Sequence, residues 1–133
     1  MAEPPERPVS HGQQQGIDVD AVAQRLREER DEVSARLATM IKSLESLFAA
    51  SVDSNADDEH DPEGQTIAYE RAQLSALIRA ARLQMSAIET ATARVEKGTY
   101  GICDVCLEQI PGARLEARPT AQTCVLHTTT DSR

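Results

Sequence analysis

The sequence predicts an all-α dominated protein: a long antiparallel helical hairpin, a coiled coil, followed by a small cysteine-bearing unit at the C-terminus. Two runs of apolar residues with alternating four- and three-residue spacing predict the hairpin. A pair of short motifs after residue 98, C-x-x-C and C-x-x-H, predicts the compact end. Composition agrees. The 133 residues include no Trp, one Phe and two Tyr, so a helical core must be built from Leu, Ile, Val and Ala.

Residues 1–16 hold three prolines, three consecutive glutamines and two glycines with almost no large apolar side chain, which predicts a disordered tail. The tail has neither a basic n-region nor an apolar h-region, so no signal peptide is expected. With no apolar run long enough to span a bilayer, the expectation is a cytoplasmic protein without membrane contact. His11, in the tail, has no neighbouring partners and reads as exposed.

The hairpin is assigned to residues 17–97. From Asp18 or Asp20, either of which could cap a helix, apolar residues recur as Val19, Ala23, Leu26, Val33, Leu37, Met40, Leu44 and Leu47, with Arg30 as one polar seam position. A second run from about Gln65 to Lys97 places Ile67, Leu74, Ile78, Ala81, Met85, Ile88 and Val95 on the same spacing, with Arg71 and Thr92 as polar seam positions and Gly98 as the stop. A short link between two stripes that both need cover favours folding back on themselves. Pairing of the seams between molecules is the other use of the same pattern.

The link itself is acidic. Asp53, Asp57, Asp58, Glu59, Asp61 and Glu63 fall between residues 53 and 63 without a Lys or Arg. Asp61 before Pro62 reads as an N-cap followed by proline at the first helical position, and Glu63 suits the positive end of the helix dipole. Capping leaves Asp57, Asp58 and Glu59 unexplained, because their repulsion is unfavourable unless it meets a basic surface or a metal; a solvated acidic loop and a functional tip are both open readings. His60 reads as exposed, Tyr69 lies off the second seam, and a hairpin tip offers no desolvated pocket for acid/base catalysis. No enzymatic activity is expected.

Residues 98–128 form the last unit, with 129–133 as a tail. Cys103-x-x-Cys106 and Cys124-x-x-His127 are separated by 17 residues, a spacing suited to two zinc knuckles facing each other. Three thiolates and an imidazole fill the four positions that Zn²⁺ prefers, leaving none for a substrate, so one structural Zn²⁺ is expected. A redox C-x-x-C lacks the expected βαβ surroundings here, and disulfide pairing would leave one of the three cysteines over. The balance of 14 Lys+Arg against 22 Asp+Glu, a net charge of −8, argues against a broad basic face for nucleic acid.

The stretch Gly98-Thr99-Tyr100-Gly101-Ile102-Cys103, continuing through Ile110-Pro111 and Arg114-Leu115-Glu116-Ala117-Arg118-Pro119 to Cys124, resembles the zinc-finger signature of the DksA/TraR family of bacterial transcription factors. Asp58-x-x-Asp61 is similar to that family's pair of acidic tip residues. The resemblance spans roughly Asp57 to His127. It implies a transcription regulator that binds RNA polymerase rather than promoter DNA and inserts its coiled-coil tip into the secondary channel. It also implies Asp58 and Asp61 as tip residues, and Cys103, Cys106, Cys124 and His127 as ligands of a zinc that fixes the hairpin base. The alternative is a zinc-stapled helical adaptor or homodimer with another partner.

Three positions depart from the family pattern. Glu63 stands where alanine is usual, His127 where a cysteine is common, and Leu107 where glycine favours a positive φ. The chain ends at Arg133, too soon for the C-terminal helix of longer members, and the family's folded N-terminal segment is not expected in residues 1–16. Binding of ppGpp, which uses residues outside the hairpin in those members, is therefore not implied.

Overall fold

The structure is a computed structural model that describes residues 17–54 and 62–128. Two helices of 36 residues dominate it: α1, Val19–Ser54, and α2, Pro62–Lys97. A six-residue helix α3, Gly112–Ala117, and a 3₁₀ turn, Val125–His127, follow. There is no strand among the described residues, only an isolated antiparallel bridge between Ile102 and Gln109. No helix among them is long and apolar enough to cross a membrane.

The chain divides into two compact units: the described residues up to Glu29 together with those from Ala87 onward, and Arg30–Ser86. Both helices pass through both units. In the Arg30–Ser86 unit they run antiparallel. The Arg36 guanidinium donates to Gln84 Oε1 at 3.1 Å, and twelve residues further along α1 the Phe48 ring lies 4.1 Å beneath the Arg71 guanidinium, thirteen residues back along α2.

Asp18 rather than Asp20 caps α1. Its Oδ1 accepts from the Ala21 N–H at 3.1 Å, satisfying one of the donors that the first turn leaves without a partner. Asp20 sits inside the first turn, where its charge suits the helix dipole. The apolar stripe then faces inward as its spacing requires. Leu26 and Val33 are buried, Leu37, Met40, Leu44 and Leu47 half-buried, and Arg30 is exposed. On α2 the buried positions are Ile78, Ala81, Ile88 and Ala91.

Two details differ from the sequence reading. Near the end of α2 the buried residue is Ala91, while Thr92 is half-buried and its hydroxyl donates to the Ile88 carbonyl at 2.9 Å. Covering the Ala91 methyl costs no polar group its hydration, whereas the Thr92 hydroxyl needs a partner, which the Ile88 carbonyl supplies. The first helix also reaches further into the link than expected. Asp53 belongs to α1, beyond the expected end of that helix, and α2 begins with Pro62 at its first helical position and Glu63 in its first turn, as the Asp-Pro pair predicts even though the apolar repeat starts only near Gln65. The expected tip residues Asp57, Asp58, Glu59, His60 and Asp61, and the expected tails 1–16 and 129–133, lie outside the described residues.

Candidate metal centre

The metal centre is built where α2 ends. Gly98 adopts φ 76°, a left-handed conformation that costs glycine nothing. The Gly98 N–H donates to the Val95 carbonyl at 3.2 Å and the Thr99 N–H to the Arg94 carbonyl at 2.9 Å, the paired bonds of a Schellman stop. The Arg94 guanidinium reaches forward across this stop. It pairs with Asp104 at 3.0 Å and donates to the carbonyls of Thr99 and Ile102, tying the last turn of α2 to the first knuckle.

Around Cys103 the chain doubles back. The Cys103 N–H donates to the Glu108 carbonyl at 2.8 Å, the Leu107 N–H to the Cys103 carbonyl at 2.9 Å, and the Ile110 N–H to the Gly101 carbonyl at 2.7 Å. This tight return puts Leu107 at φ 62°, the only non-glycine with positive φ among the described residues. The departure from glycine noted in the sequence therefore falls on a left-handed position, where a Cβ is unfavourable by about 1–2 kcal/mol. Its side chain is exposed, so no packing offsets the strain. Leu107→Gly is expected to raise the finger's stability by about 0.5–1 kcal/mol after the entropy that glycine adds to the unfolded chain. Slower zinc loss to a competing chelator would show it, and faster loss would contradict it.

The second knuckle is held beside the first. The Asp104 N–H donates to the Gln122 carbonyl at 2.9 Å, and Arg114 Nε, on α3, donates to the Thr123 carbonyl at 2.8 Å. The His127 N–H donates to the Cys124 carbonyl at 3.0 Å within the 3₁₀ turn, which places the imidazole over the Cys124 sulfur. Below the knuckles the buried Tyr100 donates its hydroxyl to the Pro119 carbonyl at 2.8 Å, and Arg25 on α1 donates to the Glu116 carbonyl at 2.6 Å. Burial leads the forces that raise the Tyr100 hydroxyl above its ordinary pKa.

The four residues singled out by spacing converge. Sulfur and nitrogen atoms of Cys103, Cys106, Cys124 and His127 all lie within 4.8 Å of one another. Cys106 Sγ is 3.9 Å from Cys124 Sγ, and His127 Nδ1 is 3.7 Å from Cys103 Sγ and 3.1 Å from Cys124 Sγ. A tetrahedral zinc with bonds of about 2.3 Å to sulfur and about 2.0 Å to nitrogen separates its donors by about 3.5–3.8 Å. The donor set and spacing suit a single structural zinc ion. Four protein donors leave no place for a reacting ligand.

The surroundings of Cys103 and Cys106 act on their thiols in opposite directions. Burial raises the pKa of Cys103, but backbone N–H groups of Cys106, Cys124 and Val105 aim at its sulfur and outweigh burial, bringing it down to about 6. The Val105 N–H approaches that sulfur at 3.4 Å. At Cys106 the Glu108 backbone favours the thiolate, while burial and the neighbouring Cys103 and Cys124 sulfurs oppose it and raise the thiol overall. Such clustered sulfurs repel as anions, and a divalent cation at their centre turns that repulsion into attraction.

Residues 98–125 match the prokaryotic dksA/traR C4-type zinc finger. The chain carries a DksA/TraR zinc finger. The resemblance read from the sequence is upheld over this segment. Its fourth donor differs in kind from the C4 type, since the chain has three cysteines in all and His127 lies two residues beyond the matched segment. The fold agrees as well. The solved structure of the transcription factor DksA2 from Pseudomonas aeruginosa is similar with a TM-score of 0.69 and 23% identity, over 86% of this chain and 82% of that one.

Among curated relatives, the uncharacterised protein YteA of Bacillus subtilis is 40% identical over 77 residues, 58% of this chain and 32% of its own length. An uncharacterised protein of Aquifex aeolicus is 51% identical over 37 residues, 28% of this chain and 26% of its own length. The chain thus matches a third or less of each. Sequence reasoning found the four donors of the DksA/TraR finger but missed the residues that hold it: Arg25, Arg94, Tyr100 and Arg114. Arg94 gave one signal, a cation in the last turn of a helix, and its partners up to ten residues ahead gave none.

Proposed function

We propose that this protein is a transcription regulator that binds RNA polymerase and places the acidic end of its hairpin in the enzyme's secondary channel. One observation carries the reading: a dksA/traR zinc finger follows directly on a hairpin helix of 36 residues, in a fold shared with a transcription factor. In this reading Cys103, Cys106, Cys124 and His127 hold the structural zinc, and Asp58 and Asp61 act at the tip. Zinc supplies no chemistry beyond bonds that keep the two knuckles closed. The residues around it do the positioning: Arg94 and the Schellman stop fix the finger to α2, and Arg25 fixes α3 to α1.

The reading assigns no catalytic residue and no sequence-specific contact with DNA, in keeping with a net charge of −8. It places the protein in the cytoplasm with its polymerase. Carboxylates at the tip would act there by electrostatics, favouring basic surfaces and changing the stability of promoter complexes.

The test is binding of the purified, zinc-loaded protein to bacterial core RNA polymerase beside an Asp58→Asn/Asp61→Asn variant, at two salt concentrations. Both proteins are expected to bind, and only the wild type to change transcription from a sensitive promoter. Absence of binding by both overturns the proposal and leaves a zinc-stapled helical protein with a different partner. Equal effects of both proteins on transcription would remove the two aspartates from the mechanism.

A further inference from the structure

The unit Arg30–Ser86 carries more apolar surface than its seam requires. Ile41, Phe48 and Val52 form a second stripe along α1, beside the seam residues Met40, Leu44 and Leu47. Phe48 is 45% exposed and Val52 74% exposed, so pairing with α2 leaves the stripe unfinished. Between the helices a groove of about 430 Å³ is floored by Ile41, Leu44, Phe48 and Ile78. Arg79 and Arg82 of α2 rim it.

The charge of this groove opposes that of the chain. Arg71 stacks on the Phe48 ring, and Arg79 and Arg82 continue the basic edge, against one carboxylate, Glu45. Neither Arg79 nor Arg82 has an ion pair among the described residues. In a protein of net charge −8, this edge is a local exception. An apolar floor running along two helices suits a third helix that presents residues spaced by three and four. The basic edge selects carboxylates on that helix's flanks.

We propose that this groove receives an amphipathic helix of a partner protein, apolar on the face it buries and lined with Glu or Asp along its edge. A second copy of the chain is a poorer occupant, because two-fold pairing of this face brings the same arginines of both copies together. The inference does not rest on the secondary-channel reading, and its readout is peptide binding rather than transcription.

The probe is a fluorescein-labelled helical peptide of about 20 residues with Leu at i, i+3, i+4 and i+7 and Glu at the flanking positions, beside a twin with every flanking Glu replaced by Lys. Fluorescence anisotropy is read as zinc-loaded full chain is titrated in. The acidic peptide is expected to bind about tenfold or more tightly than its twin, and Arg79→Glu/Arg82→Glu to reverse that order. Both arginines are exposed, so the variant keeps its fold, which far-UV circular dichroism verifies. Phe48→Ala is expected to weaken both peptides. Equal binding of the two peptides, or no binding at about 200 μM protein, overturns the proposal. So does a dimer in sedimentation that Phe48→Ala dissolves, which would give the groove to a second copy.

Discussion

Cys103→Ser is expected to leave the protein without bound zinc and without a folded segment from residue 98 to 128, while most of its helical circular dichroism survives. Structural zinc contributes about 10–16 kcal/mol of apparent binding energy in small fingers, and in such units binding energy is folding energy. The buried apolar side chains of this segment are few: Tyr100, Cys103, Ile110, Leu115, Pro119 and Ala121. They cannot hold it without the metal. Cys103 is the donor whose loss costs most, because it is fully buried and its backbone closes the first knuckle through Glu108 and Leu107. The helical signal persists because α3 contributes only six residues, against 36 in each of α1 and α2. Zinc content by a colorimetric chelator and far-UV circular dichroism test both halves. Loss of most of the helical signal would show that the hairpin depends on the finger.

Leu26→Ala gives the second large effect, a loss of about 2–5 kcal/mol in unfolding free energy. Leu26 is 1% exposed on α1, in the same unit as Ile88, which has no exposed surface, so deleting its side chain leaves a cavity that rigid helices close poorly. Leu83→Ala is the matched control. At 69% exposure it should change stability by no more than about 0.5 kcal/mol in denaturant titration. Equal effects at the two positions would contradict the assignment of the seam.

The pattern of α1 was legible to the residue, because heptad spacing is a local property and burial follows it: Leu26 and Val33 are buried and Arg30, between them, is exposed. The four zinc donors were legible for a similar reason, since C-x-x-C and C-x-x-H each form one local turn. Ala91 was not, because the repeat pointed to its neighbour Thr92 and spacing alone does not show which of two adjacent residues is covered. Arg25 was not legible either. Its bond to the Glu116 carbonyl joins residues 91 apart in sequence, and nothing near Arg25 distinguishes it from Arg27 or Arg30. The strain at Leu107 came into view only through comparison with a family that keeps glycine there. Composition and spacing say nothing about the sign of φ.

The bond between Arg94 and the knuckle has a consequence for anyone who would excise or transplant the finger. The segment recognisable by its pattern begins at Gly98 and stops at Val125. Cutting there discards Arg94, whose guanidinium holds Asp104 and the Ile102 carbonyl, and discards His127, which brings an imidazole to the three sulfurs. A portable cassette has to start a full helical turn upstream and end past the histidine. Even then it would present an empty berth at the Glu116 carbonyl, to be filled by an arginine from the recipient's own helix.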